Sequence, residues 1–236
     1  MDAKQFIQRT VTAINAIADL PTTPTTGTAD SGTVDTLVDN ALTQADDYWN
    51  HYVLTITGGT NSGYSDIVYD FDAANDRLKI LSDFPSAIDN TSTYSLSAAP
   101  LAGTPVRTSV QRNTGNVAKV IFVDIETVSG EEYRAIGIGR GKAAEIAVLQ
   151  VVVIVDDHVS DDSYTAAQRK TNWEDFHNLT CQVKSVLSYK REINNQGYLG
   201  KIIRTDYLKG PWSDENDRPR HIARILVSYT SATVVG

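Results

Sequence analysis

Few residues in this chain have types and spacings that could do chemistry. The densest set is Asp156-Asp157-His158-Val159-Ser160-Asp161-Asp162, which follows an apolar run. Clustered carboxylate oxygens are what Mg2+ or Ca2+ takes, with Asp156, Asp157 and Asp161 as the candidate ligands. The segment lacks the alternating ligand positions and the glycine of an EF-hand loop. Acidic residues just ahead of a helix also favour its N-terminal dipole, which accounts for Asp161 and Asp162 with no ion. The structural reading is the stronger one, and no metal is assigned.

Gly137-Ile138-Gly139-Arg140-Gly141-Lys142 invites a nucleotide-binding reading, which fails on its spacing. A phosphate-binding loop has a glycine five residues before its Gly-Lys pair and Ser or Thr after it. Ile136 and Ala143 stand there instead. The dinucleotide fingerprint needs its third glycine where Lys142 stands. The segment reads as a strand-to-strand connection that offers Arg140 and Lys142 to a neighbour.

A nucleophilic site would draw on Cys181 or a serine, together with His51, His158, His177 or His221. No Gly-x-Ser-x-Gly elbow and no His-Glu-x-x-His occurs. Cys181 falls mid-helix beside an apolar stripe, where a small thiol is inert. His177 lies one residue off that stripe and reads as a boundary residue. The expectation is a protein with no catalytic residues and no cofactor. Loop 210–220 carries Pro211, Trp212, Arg218 and Arg220, and aromatic and arginine side chains are enriched at protein–protein hot spots. A loop this polar cannot bury Trp212 by itself, so a neighbouring subunit is its expected partner. Tyr48, Trp49, Tyr52 and Tyr64 fit either a sugar platform or a core, with the core reading favoured. The sequons at Asn90 and Asn178 read as accidental.

The elements that must position these residues follow from periodicity. Residues 3–19 place Phe6, Ile7, Val11, Ile14 and Ile17 on one helical face, and Pro21 and Pro24 end the helix in a linker. Alternation predicts strands over 51–57, 64–71, 77–81 and 93–96, with a return linker at 98–105. Further strands are expected at 117–128, 133–138, 201–208 and 221–230. The run 144–157 is too apolar for a solvent face and suits a central strand. A long helix over 163–190 follows, with Ser163 as its cap and Trp173, Phe176, Thr180, Val183 and Leu187 as its stripe. The fold class is α+β: an antiparallel or mixed sheet with an N-terminal helix and one long helix packed on it. An all-β module, a small barrel or sandwich, is inserted over 21–103, leaving 1–20 and 104–236 as the discontinuous α+β domain.

Composition narrows the function. With 41% hydrophobic residues the chain is globular, and no apolar run is long enough for a transmembrane helix. The N-terminus has no basic and apolar pattern of a secretory signal, and a single cysteine excludes an internal disulfide, so a reducing cytoplasm is the expected folding compartment. Residues 21–100 contain eleven Asp, no Glu, and only Arg77 and Lys79 as bases, so the net charge of −8 is concentrated there. Such a surface repels phosphate backbones, which argues against nucleic-acid binding.

The β segment resembles a small insertion found in virion proteins of tailed viruses. The resemblance rests on Thr26-Gly27-Thr28-Ala29, Gly32-Thr33, Thr36-Leu37-Val38-Asp39, the run from Tyr52 to Thr60, Gly63, and Ile67-Val68-Tyr69-Asp70. The remaining domain resembles tail terminator (tail completion) proteins in its order of N-terminal helix, antiparallel sheet, helix and closing strands. The resemblance implies a homohexameric ring at the head–tail junction, in the virion neck, assembled in the host cytoplasm. Its partners would be the tail tube protein and the head connector or adaptor proteins, with no cofactor, no membrane and no specific nucleic acid. The acidic module would sit outside the ring. Arg140, Lys142, Trp212, Arg218 and Arg220 are the expected interface residues. The alternatives are another neck, baseplate or decoration role, or a glycan-binding adhesin that uses the β module.

Overall fold

A computed structural model of the chain describes residues 3–18, 20–99, 101–108, 119–129, 142–156, 165–189, 199–208 and 220–234. Helix α1 (Ala3–Ala18) comes first, followed by β1 (Thr25–Thr28), β2 (Ser31–Gly32), β3 (Thr36–Val38), β4 (Val53–Gly58), β5 (Ser65–Asp72), β6 (Arg77–Ile80) and β7 (Thr93–Ser97). Then come β8 (Val106–Thr108), β9 (Lys119–Ser129), β10 (Lys142–Asp156), α2 (Ala166–Tyr189), β11 (Leu199–Leu208) and β12 (Arg220–Val234). The architecture is α+β. The chain divides into two compact units, Met1–Ala18 with Thr104–Gly236, and Asp19–Gly103.

In the unit Asp19–Gly103 the strands follow the order β1-β7-β4-β5-β6-β3-β2, with every pair antiparallel. Strand β5 changes partner along its length. Its start pairs with β4, and from Val68 on it pairs with β6, with an irregularity between Val68 and Asp70. Such an irregularity lets one strand turn a corner between two layers. No ladder joins the edge strands β1 and β2 to each other, so the sheet is not a closed barrel, and that half of the sequence expectation is corrected. The two edges are consecutive in sequence, separated only by Ala29 and Asp30.

The core of this unit includes Leu37, Leu54, Ile56, Val68, Phe71, Leu78, Tyr94 and Leu96, all fully buried. Tyr94 satisfies its hydroxyl by donating to Asp39 Oδ2 at 2.6 Å. Gly27 pairs with Tyr94 across β1 and β7. A Cβ there would stand 2.5 Å from Tyr94 Oη and 2.7 Å from Asp39 Oδ2, so only glycine leaves room for the pair.

Six of the eleven Asp of this segment hold its backbone in place. Asp30, Asp39, Asp46, Asp66, Asp72 and Asp89 each accept a backbone N–H, from Asn40, Ala41, Ala73, Ser82, Ala74 and Thr91 respectively. At Asp39, Asp72 and Asp89 the short carboxylate closes a turn on its own backbone, which the longer Glu does less well, while Asp30, Asp46 and Asp66 tie together segments ten or more residues apart. The two expected linkers are part of the fold. Thr25–Thr28 is a strand on β7, and in the return segment Ala98 and Leu101 are fully buried. Three threonines and a glycine carry no alternation, so β1 is visible only through its ladder.

In the other unit the strands follow the order β11-β12-β10-β9-β8, antiparallel except for the β8–β9 pair. The apolar run occupies the middle strand, β10, which pairs with β12 over its full length from Lys142↔Val234 to Asp156↔Arg220. Helix α1 neighbours β8, β9 and α2, while α2 also neighbours β11, β12 and β10. The buried line of α1 runs through Thr10, Ile14 and Ala18, whereas Ile7, Val11 and Ile17 are half-buried. The face is therefore turned from the expected one. Thr165 caps α2 in a capping box: its hydroxyl accepts from Gln168 N at 3.3 Å, and Gln168 Oε1 accepts from Thr165 N at 2.8 Å. The expected cap Ser163 and the expected strand 133–138 lie outside the described residues.

Candidate functional site

Of the expected interface residues, Arg140, Trp212 and Arg218 lie outside the described residues. Lys142 begins β10 and Arg220 begins β12, where it is registered against Asp156. The two bases thus stand at opposite ends of one strand pair fifteen residues long. At about 3.4 Å per residue that separation is roughly 48 Å, so they do not share a contact patch. Asp156 ends β10, while Asp157 and Asp161 lie outside the described residues. Among the described residues no three His, Cys, Asp or Glu side chains group to hold a metal.

The feature the structure does assemble is an aromatic face on α2, β11 and β12. A four-residue spacing along the helix puts Trp173, His177 and Cys181 on one line. Phe176, fully buried beside that line, stacks on His221 of β12 at 5.1 Å between centroids and meets Tyr207 of β11 edge-on at 6.2 Å. Trp173 packs edge-on against the same His221 at 5.2 Å, and His177 stacks on Tyr207 at 6.4 Å. Trp173 nevertheless stays 47% exposed, Tyr207 39% and Ile203 54%. Trp173 was expected within the buried stripe. Its other expected members, Phe176, Thr180, Val183 and Leu187, are buried, joined by Leu179 and Val186, and Trp173 stands at the open end.

Strand β11 is the outer strand of the sheet as described. Its register against β12 shifts between Ile202 and Arg204, so Ile203 is the extra residue of a bulge. A bulge on an outer strand twists the backbone away from ladder growth while presenting its side chain outward. Beside it, Asp206 accepts from Arg204 Nε at 2.9 Å and from Arg224 Nη2 at 3.3 Å. Burial, and secondarily the neighbouring Cys181, holds the Tyr207 phenol above its ordinary range, so the ring is neutral.

His177 Nε2 and Cys181 Sγ lie 3.6 Å apart. Sequence reasoning treated both as bland, although their spacing already placed them one above the other on a helix. Tyr207 and Ile203 were missed altogether: alternation on a strand does not say which face is covered.

A second aromatic group lies in the β unit, and there the core reading holds for two of its members. Trp49 is 3% exposed and donates Nε1–H to Gln44 Oε1 at 3.1 Å, and Tyr52 packs edge-on against it at 5.0 Å. Tyr48 and Tyr64 are exposed. With Trp49 buried, the face on which a sugar would stack is taken up by the core.

No helix among the described residues is long and apolar enough to cross a membrane. No protein-family model matches the chain, and no curated protein matches it in sequence.

Proposed function

We propose that this chain is a structural protein of a tailed virus, acting as a tail terminator: a homohexameric ring at the head–tail junction that caps the tail tube and meets the head connector. In this reading residues 21–103 are a module inserted into the α+β domain, and the two helices cover the sheet. The chain's work is assembly, with no cofactor.

The observation that carries the reading is the exposed apolar set Trp173, Ile203 and Tyr207 beside an outer strand. A ring built from identical subunits needs two unlike surfaces per subunit that meet head to tail. The sheet supplies unlike outer strands, the ten-residue β11 and the three-residue β8. The wide separation of Lys142 and Arg220 fits the same demand, since each would serve a different neighbour.

The test is the mass of the native assembly by light scattering after size exclusion, with negative-stain images of the protein mixed with purified tail tubes. A closed ring of about six subunits of 25.8 kDa, seated at one tube end, is expected. A closed ring of another count would move the protein to a different virion position. A monomer that also ignores tubes would overturn the reading.

A further inference from the structure

We propose that the unit Asp19–Gly103 carries a docking face for a basic protein segment, built on Val34, Tyr64, Leu81 and Pro85 and flanked by Asp35 and Asp83. The face is assembled by segment 81–88, which is tied to other stretches of the unit. Leu81 N–H donates to Ile67 O at 3.1 Å, Phe84 N–H to Val34 O at 2.8 Å and Ile88 N–H to Thr33 O at 3.0 Å. Asn61, at a φ of 66°, adds a two-point clamp: its amide donates to Ser86 O at 2.8 Å and accepts from Ser86 N at 3.1 Å. Asp66 Oδ2 accepts from Ser82 N. Phe84 and Ile88 are buried in the core, while Leu81 and Pro85 of the same segment are exposed. The Tyr64 ring lies against Phe84 at 6.2 Å, yet Tyr64, like Leu81, keeps half of its surface in water. Single exposed apolar side chains are ordinary, but several around one immobilised segment mark a contact site. A face fixed this firmly has little ordering entropy left to lose on binding.

Charge decides what covers the face. Residues 21–100 hold eleven Asp against two bases, and both bases are engaged within the unit. Arg77 pairs with Asp72 at 3.0 Å, and Lys79 lies over the Tyr69 ring at 5.5 Å, where Asp35 and Asp70 also act on it. The unit therefore has no base to spare for Asp83, which is exposed within segment 81–88. A second copy of this chain would bring the same acidic unit to the face, and nucleic acid or an anionic lipid surface would bring phosphate, so each is repelled. A protein segment that flanks an aromatic or aliphatic anchor with Lys or Arg satisfies both parts of the face. Its anchor leaves water beside Tyr64 and Leu81, and its bases meet the carboxylates at the rim. The proposal stands independently of the ring reading.

The full-length protein is used to select binders from a display library of random linear peptides, and the enriched peptides are synthesised and titrated against the protein in solution. The expected result is enrichment of peptides that set Lys or Arg around an aromatic or aliphatic residue and bind at micromolar concentration. Leu81→Ser and Tyr64→Ser, both changes at exposed positions, each weaken that binding by about tenfold or more. Asp83→Asn, which removes a charge and leaves the apolar contacts in place, slows association and flattens its dependence on salt. Thermal unfolding of each variant is measured alongside, and Asp83→Asn keeps the test decisive should either serine variant lose its fold. No enrichment, enrichment of neutral or acidic peptides, binding that persists unchanged in Leu81→Ser and Tyr64→Ser, or an unaltered salt dependence in Asp83→Asn would each overturn the proposal.

Discussion

The two aromatic groups of this protein have similar composition and opposite placement. In the β unit, Trp49 and Tyr52 are buried, while Tyr48 and Tyr64 stay exposed. In the α+β unit, Phe176 is buried while Trp173 and Tyr207 stay half in solvent, with two histidines among them. Each aromatic side chain presents a large apolar area, and what differs is whether neighbouring elements cover it. Strands on several sides enclose the first group. The second lies where one helix meets the outer strand of a sheet, with no further described strand beyond it. The lesson is that aromatic content alone does not mark a binding face. Exposure at the margin of a layer does, because a covering partner could still remove that area from water.

Breaking the comparison at its strongest point should give the largest effect. Trp49→Ala is expected to destabilise the β unit by about 3–5 kcal/mol, from lost burial plus the cavity. Trp173→Ala should lose far less stability but should weaken self-association. Urea unfolding and sedimentation of the two variants side by side would show the contrast, and equal stability losses would erase it. Next comes the buried Tyr94–Asp39 pair. Tyr94→Phe leaves the buried Asp39 Oδ2 without its donor, while Oδ1 keeps the Ala41 N–H, and should lose about 1–3 kcal/mol.

The same pair predicts a pH dependence. Burial first, and then the bond to Asp39, raise the Tyr94 pKa above its ordinary value. The folded state therefore holds this proton to higher pH than the unfolded chain, whose tyrosines titrate near about 10. Stability from the pair is intact below about pH 10 and falls as pH rises beyond it. Alkaline denaturation of parent and Tyr94→Phe measures this, and parallel curves would refute it. A smaller effect, about 1 kcal/mol, is expected for Thr165→Ala, which removes the cap of α2 and should fray its first turn in hydrogen exchange. The smallest lies at Asp72, whose carboxyl is held below the usual range by the Asn75 bond and, secondarily, by Arg77. Its contribution is present above about pH 4 and fades as pH falls through the folded value, which NMR titration of Asp72 would follow.

Much of the fold was legible. The apolar faces of residues 3–19 and of the helix after 163 marked α1 and α2, and the unbroken run near 146–155 marked the middle strand. The strands β1, β2 and β3 were not legible, because β1 and β2 hold only Thr, Ser and Gly and the three residues of β3 are too few to show a period. The candidate site was legible only in part. The four-residue spacing of Trp173, His177 and Cys181 was open to inspection, but the periodicity argument assigned Trp173 to the core. The strand contribution, Ile203 and Tyr207, depends on a bulge and on lying outermost, neither of which leaves a local signature.

Sequence by itself determined the local conformations and the chemistry available to each turn. Eleven Asp and no Glu stand between positions 21 and 100, and at Asp39, Asp72 and Asp89 the carboxylate closes a turn two residues on. Only the tertiary structure decided that Gly27 makes room for Tyr94 and Asp39, that Lys142 and Arg220 stand a full strand length apart, and that Trp49 is hidden while Trp173 is not. The physical reason is range. Helix and turn propensities act over a few residues, whereas burial depends on which distant segments come to lie alongside, and that is settled by pairing and packing across the whole chain.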